Sequence, residues 1–495
     1  MNVLRSSSGW LLALLAACTV GPEYRPPELP EVPAWTAPGD TAIDSAGVAA
    51  FWSAFGDPTL EQLLQRALAG NRDLRVAIAR LQEARLRAGA AGSELWPRAD
   101  VTGSYSDSRL SENGFLQGIA TGNLGGGGSP GAVFPGQQID LHQIGFDASW
   151  ELDLFGGLRR GIEAAEADAA AVQQDLRAAR IALCGDVTDA YVELRSLQQR
   201  AALADRLLTA HRESVAVLDE QVGAGIADDL DLARARTLLA EQEGRAAEAH
   251  GEITATVRRL EILLGVLPGE LTTTLGEGRL PAVPDVLAID VPAATLARRP
   301  DVAAAERRLA AATARIGVAT AELYPRFSLT GAFGLQAQDI ADLPQADSRF
   351  WAIGPALRWP LFDFGRVRAA IDQQDARTRQ ALAAYEGTVI AALGDVEIAL
   401  VRVARWRRQL AALRTARDSA RHAAELADEQ FRSGVLEYSD LLDTQRSRDL
   451  AEEDCEQGQA ALLHAVVTLG KALGVGPGPG GDGTEGTGER GASTP

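Results

Sequence analysis

Three aspartates follow two glycine-containing turns at matching places in the chain. Asp440 and Asp443 lie six and nine residues after Gly434, and Asp231 lies six residues after Gly225. A spacing of three residues is nearly one helical turn, so Asp440 and Asp443 project from the same helix face. A ring of such carboxylates at the narrow end of a tube would attract cations and repel itself. The alternative is that they are ordinary first-turn acids, which the helix dipole favours.

The two turns have related sequences that begin at Gln221 and Gln430. Glycine at the end of a helix permits a left-handed cap, and an Asp or Ser shortly afterwards can cap the next helix. The pattern therefore predicts two helical hairpins. In the first hairpin, Arg234 replaces the second aspartate.

No other motif points to catalysis. His-Glu-x-x-His, Cys-x-x-Cys and Walker sequences are absent from the sequence, and the five histidines show no metal-ligand spacing. The 67 acidic residues outnumber the 48 basic ones, which gives a formal charge of −19. That balance argues against nucleic-acid binding, because a nucleic-acid surface needs a basic face. We expect a protein that is not an enzyme and that holds no cofactor.

The sequence contains an internal duplication. Residues 150–156 match 359–365 at an offset of 209, and this offset continues without a gap for over a hundred residues. Upstream, residues 94–98 match 322–326 at an offset of 228. The difference, 228 − 209 = 19, indicates an insertion in the Gly-rich stretch at 113–138. The repeat predicts two equivalent halves, 59–265 and 293–475, joined by a connecting segment at 266–292.

Each half contains two segments with alternating polar and apolar residues. They predict strands near 99–108 and 141–152, and near 326–336 and 350–361. Their length and their terminal aromatic residues are typical of membrane-spanning β-strands. Four strands cannot close a barrel, and an open sheet edge is not tolerated in lipid. Either several copies share one barrel, three copies giving twelve strands, or the four strands form a soluble sheet with one wet face.

The helices are unusually long. Residues 157–222 and 366–432 lack proline and carry apolar residues at near-heptad spacing, so each predicts a helix of about 100 Å. The flanking segments 59–95 and 228–264 predict helices of roughly 55 Å each. Two short helices laid end to end would match one long helix.

The N-terminal residues resemble a targeting signal. Residues 1–17 combine one arginine with a short apolar core, as a cleaved signal peptide does. The sequence Leu-Ala-Ala-Cys ending at Cys18 resembles a bacterial lipoprotein cleavage box, which implies acyl chains on Cys18. The alternative is an ordinary signal with an incidental cysteine. Residues 18–58 are expected to form a lipid-anchored extended segment, and 476–495 a disordered tail.

Taken with these features, the chain resembles the TolC-like outer-membrane efflux proteins, closest to the lipoprotein branch typified by OprM and NodT. The resemblance covers roughly residues 18–475. It rests on the glycine turns and on five further motifs: Cys-x-x-Gly-Pro-x-Tyr at 18–24, Phe51-Trp52, Phe55-x-Asp57-Pro58, Arg299-Pro300-Asp301-Val302 and Leu-Tyr-Pro-Arg at 323–326.

The resemblance implies an α+β membrane protein. Three chains would form a trimeric twelve-stranded β-barrel, four strands per chain, continued by a long α-helical barrel. It also implies the exit duct of a tripartite pump in the bacterial outer membrane, with a periplasmic adaptor and an inner-membrane transporter as partners. The one covalent group would be the lipid on Cys18.

The resemblance also assigns residues to two roles. Aspartates at this motif position point into a closed periplasmic mouth, so contacts made by arginines between helices are expected to hold it shut. The implied gate residues are Asp231, Asp440, Asp443, Arg234 and Arg432. The adaptor is expected to dock on the turns at Gln221, Gly225, Gln430 and Gly434.

The expected function is passive export of small toxic compounds with a proton-driven transporter. One alternative is the outer-membrane duct of a type I protein secretion system, which would have the same fold and a different cargo. Another is a lipid-anchored periplasmic scaffold without a pore. The sequence does not encode the partner, so neighbouring genes would separate the first two.

Overall fold

The computed structural model describes most of the chain, namely residues 19–28, 32–36, 41–44, 47–48, 50–109, 138–226, 228–271, 275–283 and 286–476. The predicted signal peptide and Cys18 lie outside these residues, as do nearly all of the Gly-rich insertion and of the C-terminal tail. The described chain forms two compact units. The first unit contains the described residues of 1–26, 83–169 and 308–381, and the second contains those of 27–82, 170–307 and 382–495.

The first unit contains a four-stranded antiparallel sheet with the strand order β2-β3-β5-β6. Its strands are β2 (Arg98–Arg109), β3 (Gln138–Leu152), β5 (Arg326–Ala337) and β6 (Arg349–Arg358). All four lie where the alternating pattern predicts strands. Strand β6 ends three residues before its predicted end, where Pro360 follows and cannot donate to the ladder.

The register of the sheet collects the apolar residues on one face. Phe146 of β3 lies opposite Phe333 of β5, and Phe327 of β5 lies opposite Leu357 of β6. Side chains alternate between faces along a strand, so the serines and threonines project to the other side. Strands β2 and β6 are the two edges of the sheet, and each has one side without a partner strand in the described chain.

Two tryptophans join the sheet to the preceding turns in the same way in both halves. The indole Nε1 of Trp150 donates to the carbonyl oxygen of Leu95 at 2.8 Å, and Nε1 of Trp359 donates to that of Leu323 at 3.1 Å. The two bonds correspond under the offsets of 209 and 228.

The N-terminal helices contradict one prediction. The segment 59–95 was expected to be a single helix, but it forms α1 (Pro58–Gly70) and α2 (Arg72–Ser93). Asn71 causes the break because its Oδ1 accepts the amide of Leu74 at 2.8 Å, while its Nδ2 donates to the carbonyl of Leu263 at 2.9 Å. A side chain that caps the second helix in this way ends the first one.

The second half breaks at the corresponding place. Helix α5 (Pro292–Arg298) and helix α6 (Pro300–Ala321) flank Arg299, which is 71 + 228. Arg299 Nη1 donates to the carbonyl of Ala472 at 3.0 Å. Leu263 and Ala472 are equivalent positions of the repeat, since 263 + 209 is 472. Asn71 and Arg299, the residues at the two helix breaks, therefore donate to equivalent carbonyl groups.

The long hairpins have the predicted extents. They consist of α3 (Gly157–Gly223) with α4 (Asp229–Leu264), and α7 (Arg366–Arg432) with α8 (Tyr438–Ala472). Within the described ranges, no helix is both long enough and apolar enough to cross a membrane.

The core of the second unit surrounds the start of α1. Asp57 caps this helix, since Oδ1 accepts the amide of Thr59 at 2.8 Å, and its Oδ2 accepts the hydroxyl of the buried Tyr191 at 2.5 Å. Trp52 Nε1 donates to the carbonyl of Val475 at 3.0 Å. Short strands β1 (Thr41–Ile43) and β4 (Leu287–Ile289) pair in parallel. These contacts fix the N-terminal segment and the connecting segment to the hairpins.

Candidate functional site

The first turn closes α3 through a glycine. Gly225 has φ +71°, a left-handed conformation that favours glycine. The amide of Ile226 donates to the carbonyl of Gln221 at 2.8 Å, so this glutamine acts here through its backbone. Asp228 then caps α4 by accepting the amide of Leu230 at 3.2 Å.

The second turn repeats this arrangement with one difference. Gly434 has φ +74°, and the amide of Val435 donates to the carbonyl of Gln430 at 3.0 Å. Glu437 occupies the cap position of α8, but its side chain makes no capping bond. The expected carboxylate cap is therefore present only in the first hairpin. Both glycines are exposed, which leaves the tips of both hairpins open to contact.

An apolar cluster holds the two hairpin ends together. Its buried members come from all four helices: Leu218, Leu232, Ala235, Ala427, Tyr438, Leu441 and Leu442. The rings of Phe431 and Tyr438 pack at 5.4 Å. Burial, and then the charge of Asp231, raises the pKa of Tyr438 to about 12. The Tyr438 hydroxyl is buried without a hydrogen-bond partner among the described residues. Tyr438 therefore stays a neutral phenol in a cluster that both hairpins build.

The two predicted gate arginines pair within their own helices in the single chain. Arg234 lies 3.6 Å from Asp231, and Arg432 lies 2.8 Å from Asp428. The expectation of pairs between helices is therefore not met for these two residues in one chain. The reason is local, since residues three or four apart face each other on a helix.

A cavity of about 330 Å³ brings part of the predicted gate together. Arg234 and Glu241 of α4 line it together with Asp443 and Arg446 of α8. Arg446 of α8 and Glu241 of α4 form an ion pair between these two helices at 3.7 Å. Asp440 is exposed and does not line this cavity. Glu241 and Arg446 were not predicted from the sequence, although Arg446 follows Asp443 by three residues on the same helix face.

Further along the hairpins, pairs of polar and charged side chains connect α3 to α8, and we call this set the polar seam. Its pairs are His211 with Asp449, Arg200 with Glu453, His464 with Asp189 and Glu193, and Lys471 with Asp186. Burial opposes protonation of His464, but its hydrogen bonds to the two carboxylates raise the pKa to about 9. His464 is therefore an imidazolium at neutral pH. The pairs of His211 and His464 could not be predicted from the sequence, because their acidic partners lie more than 200 residues away.

Metal chemistry finds no support in the part of the chain that the structure describes. No group of three or more His, Cys, Asp or Glu side chains is arranged there to hold an ion.

Duplicated long helical hairpins, an antiparallel sheet of four strands and exposed glycine turns define a channel of the TolC-like class. The sequence belongs to the outer membrane efflux protein family, whose profile matches residues 63–266 and 291–475. This confirms the resemblance drawn from the motifs.

Individual relatives agree along nearly the whole chain. Outer membrane protein OprJ of Pseudomonas aeruginosa is 33% identical over 479 residues, covering 95% of each chain. The solvent efflux pump outer membrane protein SrpC of Pseudomonas putida is 30% identical over 475 residues, covering 94% of this chain and 97% of SrpC. The solved outer-membrane channel OprN is 35% identical with a TM-score of 0.81, covering 93% of this chain and 99% of OprN.

The chain is therefore an outer-membrane channel protein, and its role is that of an exit duct in efflux.

Proposed function

We propose that three copies of this chain form one duct without enzymatic activity. Their sheets close into a twelve-stranded β-barrel in the outer membrane, and their hairpins continue it as an α-helical barrel in the periplasm. The duct passively exports small toxic compounds. A periplasmic adaptor and a proton-driven inner-membrane transporter complete the pump.

The observation that carries this proposal is the relation between the paired and the unpaired strands. The repeat relates β3 to β6 by +209 and β5 to β2 by −228. The pairing of β3 with β5 inside one chain therefore has an equivalent, β6 with β2, that can form only between copies. The observed pair Phe146 and Phe333 becomes Pro355 and Tyr105. This register puts the apolar faces of both strands on one side, as a barrel in lipid requires.

An aromatic contact inside the chain also has an equivalent, under the repeat, that can form only between copies. Phe155 stacks on Tyr324 at 4.6 Å within the chain. The equivalents are Phe364 and Trp96, which are fully exposed and 74% exposed. Phe364 also has φ +52°, an uncommon conformation for a residue with a Cβ atom. Stacking of Phe364 on the partner subunit's Trp96 would cover both rings, so the exposed pair supports closure between copies.

Lipid anchoring is supported by the segment that follows Cys18. The amide of Val20 donates to the carbonyl of Phe155 at 3.1 Å, and Arg160 Nε donates to the carbonyl of Val20 at 3.3 Å. These bonds hold the segment beside the end of β3, where Trp150 lies. Tryptophan is enriched at membrane interfaces, so an acyl chain on Cys18 would start at the membrane surface.

Replacing Cys18 tests whether membrane attachment depends mainly on the lipid or on the β-sheet. A Cys18→Ser chain with a standard cleavable signal is expected to assemble as a trimer in the outer membrane, because the strands bury far more apolar surface than acyl chains do. Membrane fractionation and native electrophoresis measure this. Recovery of the variant as a soluble periplasmic protein would contradict the barrel.

The nature of the cargo is supported by a relative. SrpC is named for solvent efflux, and solvents are small apolar molecules. The exposed turns around Gly225 and Gly434 offer a docking surface for the adaptor, together with Gln221 and Gln430, whose carbonyls close those turns.

The gate follows from threefold assembly of the hairpin ends. Asp231, Asp440 and Asp443 would form carboxylate rings. Arg234 and Arg432, which pair within their own helices in one chain, would stabilise the closed arrangement by pairing with acids of neighbouring helices in the trimer. Adaptor binding at the turns would separate the hairpins.

Single-channel conductance in planar bilayers tests both the duct and its gate. Millimolar divalent or trivalent cations are expected to block the parent channel, because multivalent ions bind converging carboxylates. The Asp440→Ala/Asp443→Ala channel is expected to need roughly tenfold more cation for the same block. The control is Asp372→Ala/Asp375→Ala, which removes two carboxylates with the same spacing elsewhere. Equal block in all three would leave the aspartates as helix-start acids, and absence of conductance would refute the duct.

A further inference from the structure

A cavity in the second unit lies where the connecting segment passes over α7 and α8. Its volume is about 800 Å³, and residues 279–283 form one wall. This size falls within the range of small-molecule sites in proteins. It shares no residue with the cavity at the hairpin ends or with the sheet.

The charge of this cavity is opposite to that of the chain. Arg279, Arg407 and Arg414 line it, and its lining residues include no carboxylate. Arg279 and Arg414 make no hydrogen bond or ion pair with any described residue. In a chain with 67 acidic and 48 basic residues, this is an unusual concentration of positive charge. Guanidinium groups without partners favour a carboxylate, sulfonate or phosphate.

The rest of the lining is apolar apart from two glutamines. Leu410, Leu462 and Leu463 are buried and line the cavity. The cavity therefore offers an apolar surface and a positive rim.

We propose that this cavity binds an amphipathic organic anion. The apolar body of the ligand packs on the leucines, and its anionic head lies between Arg279 and Arg414. The C-terminal residues 477–495 fit less well. They carry acidic residues, but almost no apolar side chains that could cover the leucines.

The test uses the full-length protein in lipid nanodiscs, with empty nanodiscs as the blank. The probe is anilinonaphthalene sulfonate, followed by fluorescence. Its neutral comparison is phenylnaphthylamine, which keeps the rings and lacks the sulfonate. We expect saturable binding of the sulfonate at one site per chain. The Arg279→Gln/Arg414→Gln variant is expected to bind it about tenfold more weakly, with little change for the neutral probe.

Two further variants separate the cavity from general surface charge. Arg66→Gln/Arg75→Gln removes the same charge from two exposed arginines outside the cavity, and it is expected to bind the sulfonate like the parent. Ala282→Trp places a large side chain at the cavity wall and is expected to abolish binding of the sulfonate. Equal loss in both double arginine variants, or parent signal no greater than that of empty nanodiscs, would overturn the proposal. So would binding that appears only after deletion of residues 477–495.

Discussion

A chain carrying both Ser104→Cys and Ala356→Cys is expected to run as a covalent trimer after mild oxidation and as a monomer after reduction. The observed pair Asp147 and Ala332 becomes Ala356 and Ser104 under the two offsets, so these residues should lie opposite each other between copies. Within one chain they are separated by three strand spacings, about 14 Å, which no disulfide spans. Any bridge must therefore join different copies.

The number of linked chains makes this result specific. Three copies joined edge to edge leave no free edge, so dimers and trimers are expected and longer ladders are not. The matched control is Ser104→Cys with Ala352→Cys, which faces the same side but is displaced by four residues, about 13 Å. Non-reducing denaturing electrophoresis reads both. The native Cys184 and Cys455 are buried and should not contribute. Polymers beyond trimers, or equal bridging in the control, would refute the proposed closure.

Loss of Arg299 is expected to destabilise the helical part of the protein by about 2–3 kcal/mol, because the carbonyl groups of Ala392 and Ala472 would lose their buried donor. Arg299 is only 8% exposed. Its guanidinium donates to Asp301 at 2.7 and 3.0 Å, to Asp395 at 3.0 Å, and to the carbonyls of Ala392 and Ala472 at 3.2 and 3.0 Å. Burial alone would raise the pKa of Asp301, but Arg299 holds it below its usual value.

Denaturant unfolding of Arg299→Leu, followed by helical circular dichroism, measures the effect. Arg315→Leu is the control, because Arg315 pairs with Asp168 between helices while both side chains are partly exposed. It should lose no more than about 1 kcal/mol. Arg299→Lys should recover only part of the stability, since an ammonium group cannot reproduce the planar fork. Similar midpoints for the two leucine variants would show that the Arg299 network is not a major support.

The two periodic patterns predicted most of the fold. Alternation placed the four strands, because a side chain in a sheet faces one of two environments. The glycine turns were placed because only glycine readily adopts the φ seen at Gly225 and Gly434. Both the alternation and the glycine turns depend on residues that are neighbours in the chain, so both can be recognised in a single sequence.

What the sequence did not predict depends on distant partners. The break at Asn71 was not predicted, because the apolar periodicity continues across it and the carbonyl that Asn71 binds lies 192 residues away. The sequence did carry a local signal, since Gly70 and Asn71 are residues that commonly end one helix and cap the next. The polar seam was not predicted because its partners also lie far apart in the sequence. The periodic pattern, moreover, identifies apolar positions and says nothing about which polar side chains pair. Within the predicted gate, Arg234 and Arg432 form ion pairs with acids of their own helices, whereas Arg446 pairs with Glu241 of another helix.

The two unpaired edges of the sheet have a genetic consequence. If each copy presents its β6 edge to the β2 edge of the next copy, a chain with one damaged edge can still join through the other. It would then enter rings that it prevents from closing. In a cell making equal amounts of sound and damaged chains, random mixing would leave only about one ring in eight free of damage. A lesion in β2 or β6 would thus behave as a dominant trait, whereas a lesion that stops the chain from folding would be recessive.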